Sequence, residues 1–160
     1  MLHSNFKKIT LIVLLISLIS FNGFSNTVNE KDNINNLRGL DWQLYQDVNG
    51  IQIYFKLSEC NDSKRDKHVE YLLIKVINTT EKDFELRWKN EYWYDDKCHN
   101  CESNSKEYLR KIIIKSGESI EGECSNNTNY KLRIHSKFLN YDLEKLTKFE
   151  MKNVQVIPVE

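Results

Sequence analysis

Four cysteines, Cys60, Cys98, Cys101 and Cys124, carry most of the chemistry open to this sequence. Thiols at these positions have three uses. They can close two disulfides, for which three connectivities exist. They can hold zinc as four thiolates, although zinc ribbons offer two C-x-x-C pairs and here Cys98-His99-Asn100-Cys101 stands with two single cysteines. Or the C-x-x-C can be redox-active, which calls for a first cysteine at a helix N-terminus in a βαβ setting. The residues before it, Tyr92-Trp93-Tyr94-Asp95-Asp96, read instead as strand and turn. Haem attachment is excluded, because Glu102 and not histidine follows Cys101.

The other reactive residues assemble into nothing recognisable. His68, His99 and His135 have no H-E-x-x-H context and no helical ligand spacing. Gly117-Glu118-Ser119-Ile120-Glu121-Gly122 falls short of a nucleophile elbow, since Glu121 stands where G-x-S-x-G needs glycine. There is no Walker loop and no G-x-G-x-x-G. Asp95-Asp96 is too short for an EF-hand; Asp95, Asp96 and Glu102 could at most form a weak calcium site. The sequence thus nominates no catalytic residue, no metal ligand set and no cofactor. His135 alternates with Lys and Arg and reads as solvated. The aromatic residues around Cys98 offer the remaining hint. Trp88 is in phase with Phe84 and Leu86 and belongs to a core, whereas Tyr92, Trp93 and Tyr94 are candidate ligand-binding residues, able to stack on a sugar or fill a partner's pocket.

Composition bounds the partners. The 160 residues carry 23 basic and 23 acidic side chains, which argues against a broad phosphate-neutralising face and so against nucleic acid. Hydrophobic residues at 40% and a single proline describe a globular domain and neither a disordered chain nor a Pro-rich linker. Residues 1–25 read as a signal peptide: Lys7-Lys8, an apolar run from Ile9 to Phe21, then Gly23 and Ser25 at the −3 and −1 positions of a cleavage site. The run is short of the ~20 residues a spanning helix needs, so no membrane span is expected after cleavage. Removing the leader takes two lysines and no acid, leaving 21 basic against 23 acidic side chains. The expected location is exported, periplasmic or extracellular, where cysteines are normally paired.

These residues need elements to hold them. Residues 26–39 are polar and Asn-rich and are expected to be a flexible segment; residues 40–160 are expected to form the domain. Its dominant period is two. Ile51, Ile53, Phe55 and Leu57 alternate with polar residues after Asn49-Gly50, a strong hairpin signal. Val69–Ile77 is apolar on both faces and reads as a central strand. Phe84, Leu86 and Trp88 alternate with charges in a half-buried strand reaching toward Tyr94. Further strands are expected over 108–115, 120–124, 132–138 and 149–159, the last with a phase shift at Lys152-Asn153 that marks a bulge. Tyr141–Leu146 is expected to form a helical turn. The fold class is all-β, an antiparallel immunoglobulin-like β-sandwich, with a small β-barrel as alternative. If successive strands alternate in direction, all four cysteines collect at one end.

The phrases WYDDKCHNC and SGESIEGEC, with the Asn-, Lys- and Ile-rich composition and the leader, resemble small exported proteins of Bacteroidota. No activity is attached to that group, so the resemblance implies an exported domain and assigns no functional residue. The expected function is a non-enzymatic binding or structural module stapled by disulfides, contacting a protein or glycan; the alternative is a metal-binding or redox protein that uses the cysteines. Intact mass of the exported protein checks the leader and the cysteine pairing. The expected species begins at Asn26 and gains two hydrogens per disulfide on reduction; a mass unchanged by reductant would refute the pairing.

Overall fold

Asn49 and Gly50 both take positive φ, 54° and 82°, the backbone that a type I′ turn demands. They join β1 (Gln43–Val48) to β2 (Ile51–Asp62), which runs antiparallel to β3 (Lys67–Asn78) over its full length, Ile51 opposite Asn78 and Cys60 opposite Val69. The structure, a computed structural model, describes residues 33–62, 67–124 and 129–159. The expected signal peptide lies outside them.

Two antiparallel sheets result, neither closed into a barrel. In the first, β2 covers one edge of β3. The other edge is shared by β7 (Ser119–Glu121), beside Lys75–Ile77, and β8 (Arg133–Phe138), beside Val69–Leu73. In the second, β9 (Leu146–Pro158) covers one edge of β4 (Phe84–Tyr94). The other edge of β4 is shared by β6 (Leu109–Ile114) and a two-residue strand, β5 (Lys97–Cys98). The sheets pack their apolar faces together, as an antiparallel β-sandwich must. Ile51, Ile53, Phe55, Leu72, Ile74, Val76 and Ile134 come from the first sheet; Leu86, Trp88, Ile114, Phe149 and Met151 come from the second. The other face of β3 is covered too, with Val69 and Leu73 buried, as expected of a central strand.

Chain phase is handled by bulges where the sequence placed one and where it did not. In β9, Arg87 faces Gln155 while Lys89 faces Lys152, and Asn153 absorbs the extra residue at φ 55°. Phe149 and Met151 face the core before it, Val154 and Val156 after it. A second irregularity, between Leu44 and Gln46 of β1, turns Tyr45 inward to stack on Phe55 at 4.4 Å and leaves Leu44 exposed. The junction between the sheets is tied by a buried amide. Asn78 Nδ2 donates to the Lys82 and Lys115 carbonyls (2.7 and 2.9 Å), and its Oδ1 accepts from Thr80 N and Oγ1 (3.0 and 2.8 Å).

Two expectations are corrected. Tyr141–Leu146 forms no helical turn. Its backbone bonds across to the β4–β5 turn, Asp95 N to Lys145 O (2.9 Å) and Lys145 N to Asp95 Oδ1 (3.2 Å), and Leu146 opens β9 in the core. Nor is all of residues 26–39 a flexible segment. Residues 34–37 form a 3-10 turn capped by the Asn33 side chain, Asn33 bridges Lys148, and Ile34 is 2% exposed in the main core. Arg38 then pairs at 2.8 Å with Glu70, a buried carboxylate that also accepts from Ser136 Oγ at 2.9 Å. One well-placed isoleucine and one arginine outweigh an asparagine-rich average. Ile34→Ala removes a fully buried side chain, so the urea midpoint should fall by the equivalent of about 2–4 kcal/mol. A change inside experimental error would put this segment back outside the domain.

Candidate functional site

The two disulfides are Cys60–Cys124 and Cys98–Cys101, with Cα separations of 5.4 and 5.8 Å. Of the three connectivities open to the sequence, this one gives the bridges unequal work. The first closes a separation of 64 residues and the second a separation of 3. On the chain-entropy account the long loop contributes about 4 kcal/mol and the short one about 2 kcal/mol. Cys60–Cys124 fixes the segment after β7 to β2: Cys124 Sγ lies 3.9 Å from Ser58 Oγ, and the Cys124 carbonyl accepts from Arg133 at 3.0 Å.

Both bridges lie toward the end of the sandwich opposite Asn49-Gly50, as strand alternation implies. Tyr94 Oη donates to His135 O at 2.8 Å, which sets the Cys98 end of β4 against β8, and β8 in turn pairs the Val69 region of β3 opposite Cys60. They are carried on different sheets, however, and the four sulfurs are consumed in pairs. Among the described residues no group of three or more His, Cys, Asp or Glu is placed to hold a metal. Asp95 and Asp96 serve as turn formers at φ 45° and 63°, linking β4 to β5.

The Cys98–Cys101 loop is held by a feature the sequence reading missed. Strand β6 ends its pairing at Lys89 and β5 begins at Trp93, so the edge of β4 between them lacks a strand neighbour. The side chain of Asn100, 2% exposed, fills it. Its Nδ2 donates to Asn90 O (2.8 Å), its Oδ1 accepts from Tyr92 N (2.9 Å), and His99 N donates to Tyr92 O (2.8 Å). Behind this edge runs a second ladder: Trp88 Nε1 donates to Asn90 Oδ1 (2.6 Å), and Asn90 Nδ2 donates to Tyr92 Oη (2.9 Å). The legible signal was asparagine in phase with Trp88 and Tyr92 on an inward face.

The candidate aromatic residues do not form one platform. Tyr92 points inward and stacks on Phe149, ring centroids 5.9 Å apart. Trp93 points to the outer face, where Lys148 Nζ sits 4.5 Å from its ring. Tyr94 points between the sheets and lines a cleft of 610 Å³ with His99, His135, Phe138, Leu143 and Glu144. His135 is not a solvated strand residue. It is half-buried, 4.7 Å from the Phe138 ring, and its Nε2 is buried with no hydrogen-bond partner. Burial holds its imidazole below the usual value. Next to the cleft the β8–β9 connection exposes Leu139, Tyr141 and Leu143, the last two at 56% and 57%.

No protein-family model and no curated protein matches the chain. A solved structure of a DUF1425 family member from Shewanella sp. pv-4 is similar at 8% identity and a TM-score of 0.36, over 75% of this chain and 97% of that one. A likeness of that size carries no argument about the site, which rests on its own geometry.

The Tyr94 phenol gives the cleft a measurable signature. Burial, with smaller contributions from Tyr92 and Glu144, pushes it from 10.0 up to about 12. Below pH 10 it is protonated in folded and unfolded chains alike, and its contribution is complete. Between pH 10 and about 12 the unfolded chain gives up the proton first, so stability falls as pH rises. Urea midpoints should therefore drop more from pH 9 to pH 11 for the native sequence than for Tyr94→Phe; equal drops would refute the assignment.

Proposed function

We propose that this protein is an exported, non-enzymatic binding module that works in the periplasm or outside the cell. The cleft between Tyr94 and His135 is its recognition site. The leader and two disulfides support export, since disulfides persist in oxidising compartments. The observation that carries the binding reading is the cleft itself. At 610 Å³ it falls within the size range of ligand sites. Its walls are the rings of Tyr94 and Phe138, two imidazoles and Leu143. Loop ends of β-sandwiches are where rigid scaffolds present binding residues.

The lining also favours one ligand chemistry. Glu144 is its carboxylate, and aromatic walls attract cations through their π faces. The best occupant is an aromatic or aliphatic side chain of a protein or peptide, bearing or adjoining a positive charge. The exposed Leu139, Tyr141 and Leu143 extend the apolar contact beyond the cleft. A glycan is the poorer fit. The residue best suited to stack on a sugar, Trp93, sits on the outer face with Lys148 against its ring, away from the cleft.

Histidine-labelled protein titrated with tyramine and with benzoate tests this reading. Tyramine should move the ring-proton resonances of His99 and His135, and benzoate should move them far less. Glu144→Gln should weaken tyramine about two- to fivefold, the worth of one exposed charge contact. Resonances that stay fixed with tyramine up to its solubility would overturn the proposal.

A further inference from the structure

We propose that the Cys98–Cys101 bridge is a thiol–disulfide exchange site for an external dithiol, while Cys60–Cys124 is a permanent staple. Three observations carry it, and none depends on the binding cleft. The first is access. Each bridge has one exposed cysteine, Cys98 and Cys124, but the partner of Cys98, Cys101, is only partly covered, whereas the partner of Cys124, Cys60, is buried at 8% exposure. An attacking thiolate can reach the Cys98 sulfur from solvent. The second is a donor. Cys101 N–H points at Cys98 Sγ at 3.0 Å, and a backbone N–H placed on that sulfur stabilises the Cys98 thiolate released in the second exchange step. This donor does the work that a helix N-terminus does in redox motifs of other folds, so the absence of a helix before Cys98 is no obstacle.

The third observation separates the loop from its bridge. His99 N and the Asn100 side chain bind the loop to the edge of β4 by three hydrogen bonds of 2.8 to 2.9 Å. Trp93 pairs with Cys98 on the other side of the turn. None of these contacts uses the sulfur–sulfur bond. The loop therefore keeps its place when the bond opens, and the two sulfurs stay in position to close again. A bridge that spans a separation of 3 in a loop already fixed by other contacts adds less to the fold than one that closes a separation of 64.

The chemistry balances with the dithiol as two-electron reductant. One of its thiolates attacks Cys98 Sγ, forming a mixed disulfide and expelling the Cys101 thiolate, which takes a proton from water. Its second thiolate attacks the partner sulfur of the mixed disulfide, which releases the Cys98 thiolate to the Cys101 N–H and closes the partner's own disulfide. Two electrons pass to the protein, and the reverse sequence reoxidises it.

The test uses the whole exported chain in graded mixtures of reduced and oxidised dithiothreitol, followed by alkylation and peptide mapping. Cys98 and Cys101 should be half-reduced at a reduced-to-oxidised ratio at least tenfold lower than Cys60 and Cys124, with the far-ultraviolet circular dichroism unchanged. In parallel, Cys101→Ser should form a mixed disulfide with an aromatic disulfide reagent at Cys98 at least tenfold faster than Cys98→Ser does at Cys101. Bridges that open within tenfold of each other, or loss of the native spectrum as Cys98–Cys101 opens, would overturn the proposal; so would equal reactivity of the two variants.

Discussion

The second sheet has a gap in it, and the molecule is organised around filling that gap. Strand β4 is covered along one edge by β9, but its other edge is divided between β6 and β5, which do not meet. Backbone polar groups left unpaired against a core cost free energy comparable to a lost hydrogen bond, so the exposed stretch at Asn90–Tyr92 has to find partners. The Asn100 amide provides them by imitating a strand, one donor to Asn90 O and one acceptor for Tyr92 N. The same stretch carries the Trp88–Asn90–Tyr92 side-chain ladder on its inner face. Half-satisfied, this network would be worse than an apolar core; complete, it fixes one arrangement.

That constraint explains why the functional candidates lie where they do. Asn100 must reach the middle of β4, so Cys98, His99 and Cys101 are pinned beside it, and His99 is delivered to the cleft next to Tyr94. The division of labour between the disulfides follows from the same geometry. Cys60–Cys124 ties β2 to a segment 64 residues away, whereas Cys98–Cys101 spans a separation of 3 in a loop already held by hydrogen bonds. An exchangeable bridge is tolerable only where opening it leaves the packing intact.

Much of this could be read from the residues, and the failures have definite causes. Period-two alternation located the strands because each has one face in a core, as with Phe84, Leu86 and Trp88. Asn49-Gly50 identified its turn because the residue types match a rare backbone. The bulge at Asn153 showed as a phase slip between Met151 and Val154. The buried asparagines leave no apolar period-two signal: Asn78 and Asn100 replace missing backbone partners, and Asn90 joins the Trp88 and Tyr92 side chains. Asp95-Asp96 has the composition of a weak cation site, but its small polar side chains serve a turn with positive φ. Charged strand neighbours make His135 look solvated on the sequence, because alternation says which face a residue takes and not what lies across from it.

The sequence by itself determined the class of the fold, the strand positions, the oxidisable cysteines and the end of the molecule where they gather. These follow from local periodicity and strand direction, which each residue reports about its own neighbourhood. Only the tertiary structure decided which cysteines pair, that Ile34 belongs to the core, and that Tyr92, Trp93 and Tyr94 part into core, outer face and cleft. Each of those depends on residues brought together from distant positions. Pairing, burial and the shape of a cleft are properties of what stands opposite, and a linear pattern carries no record of that.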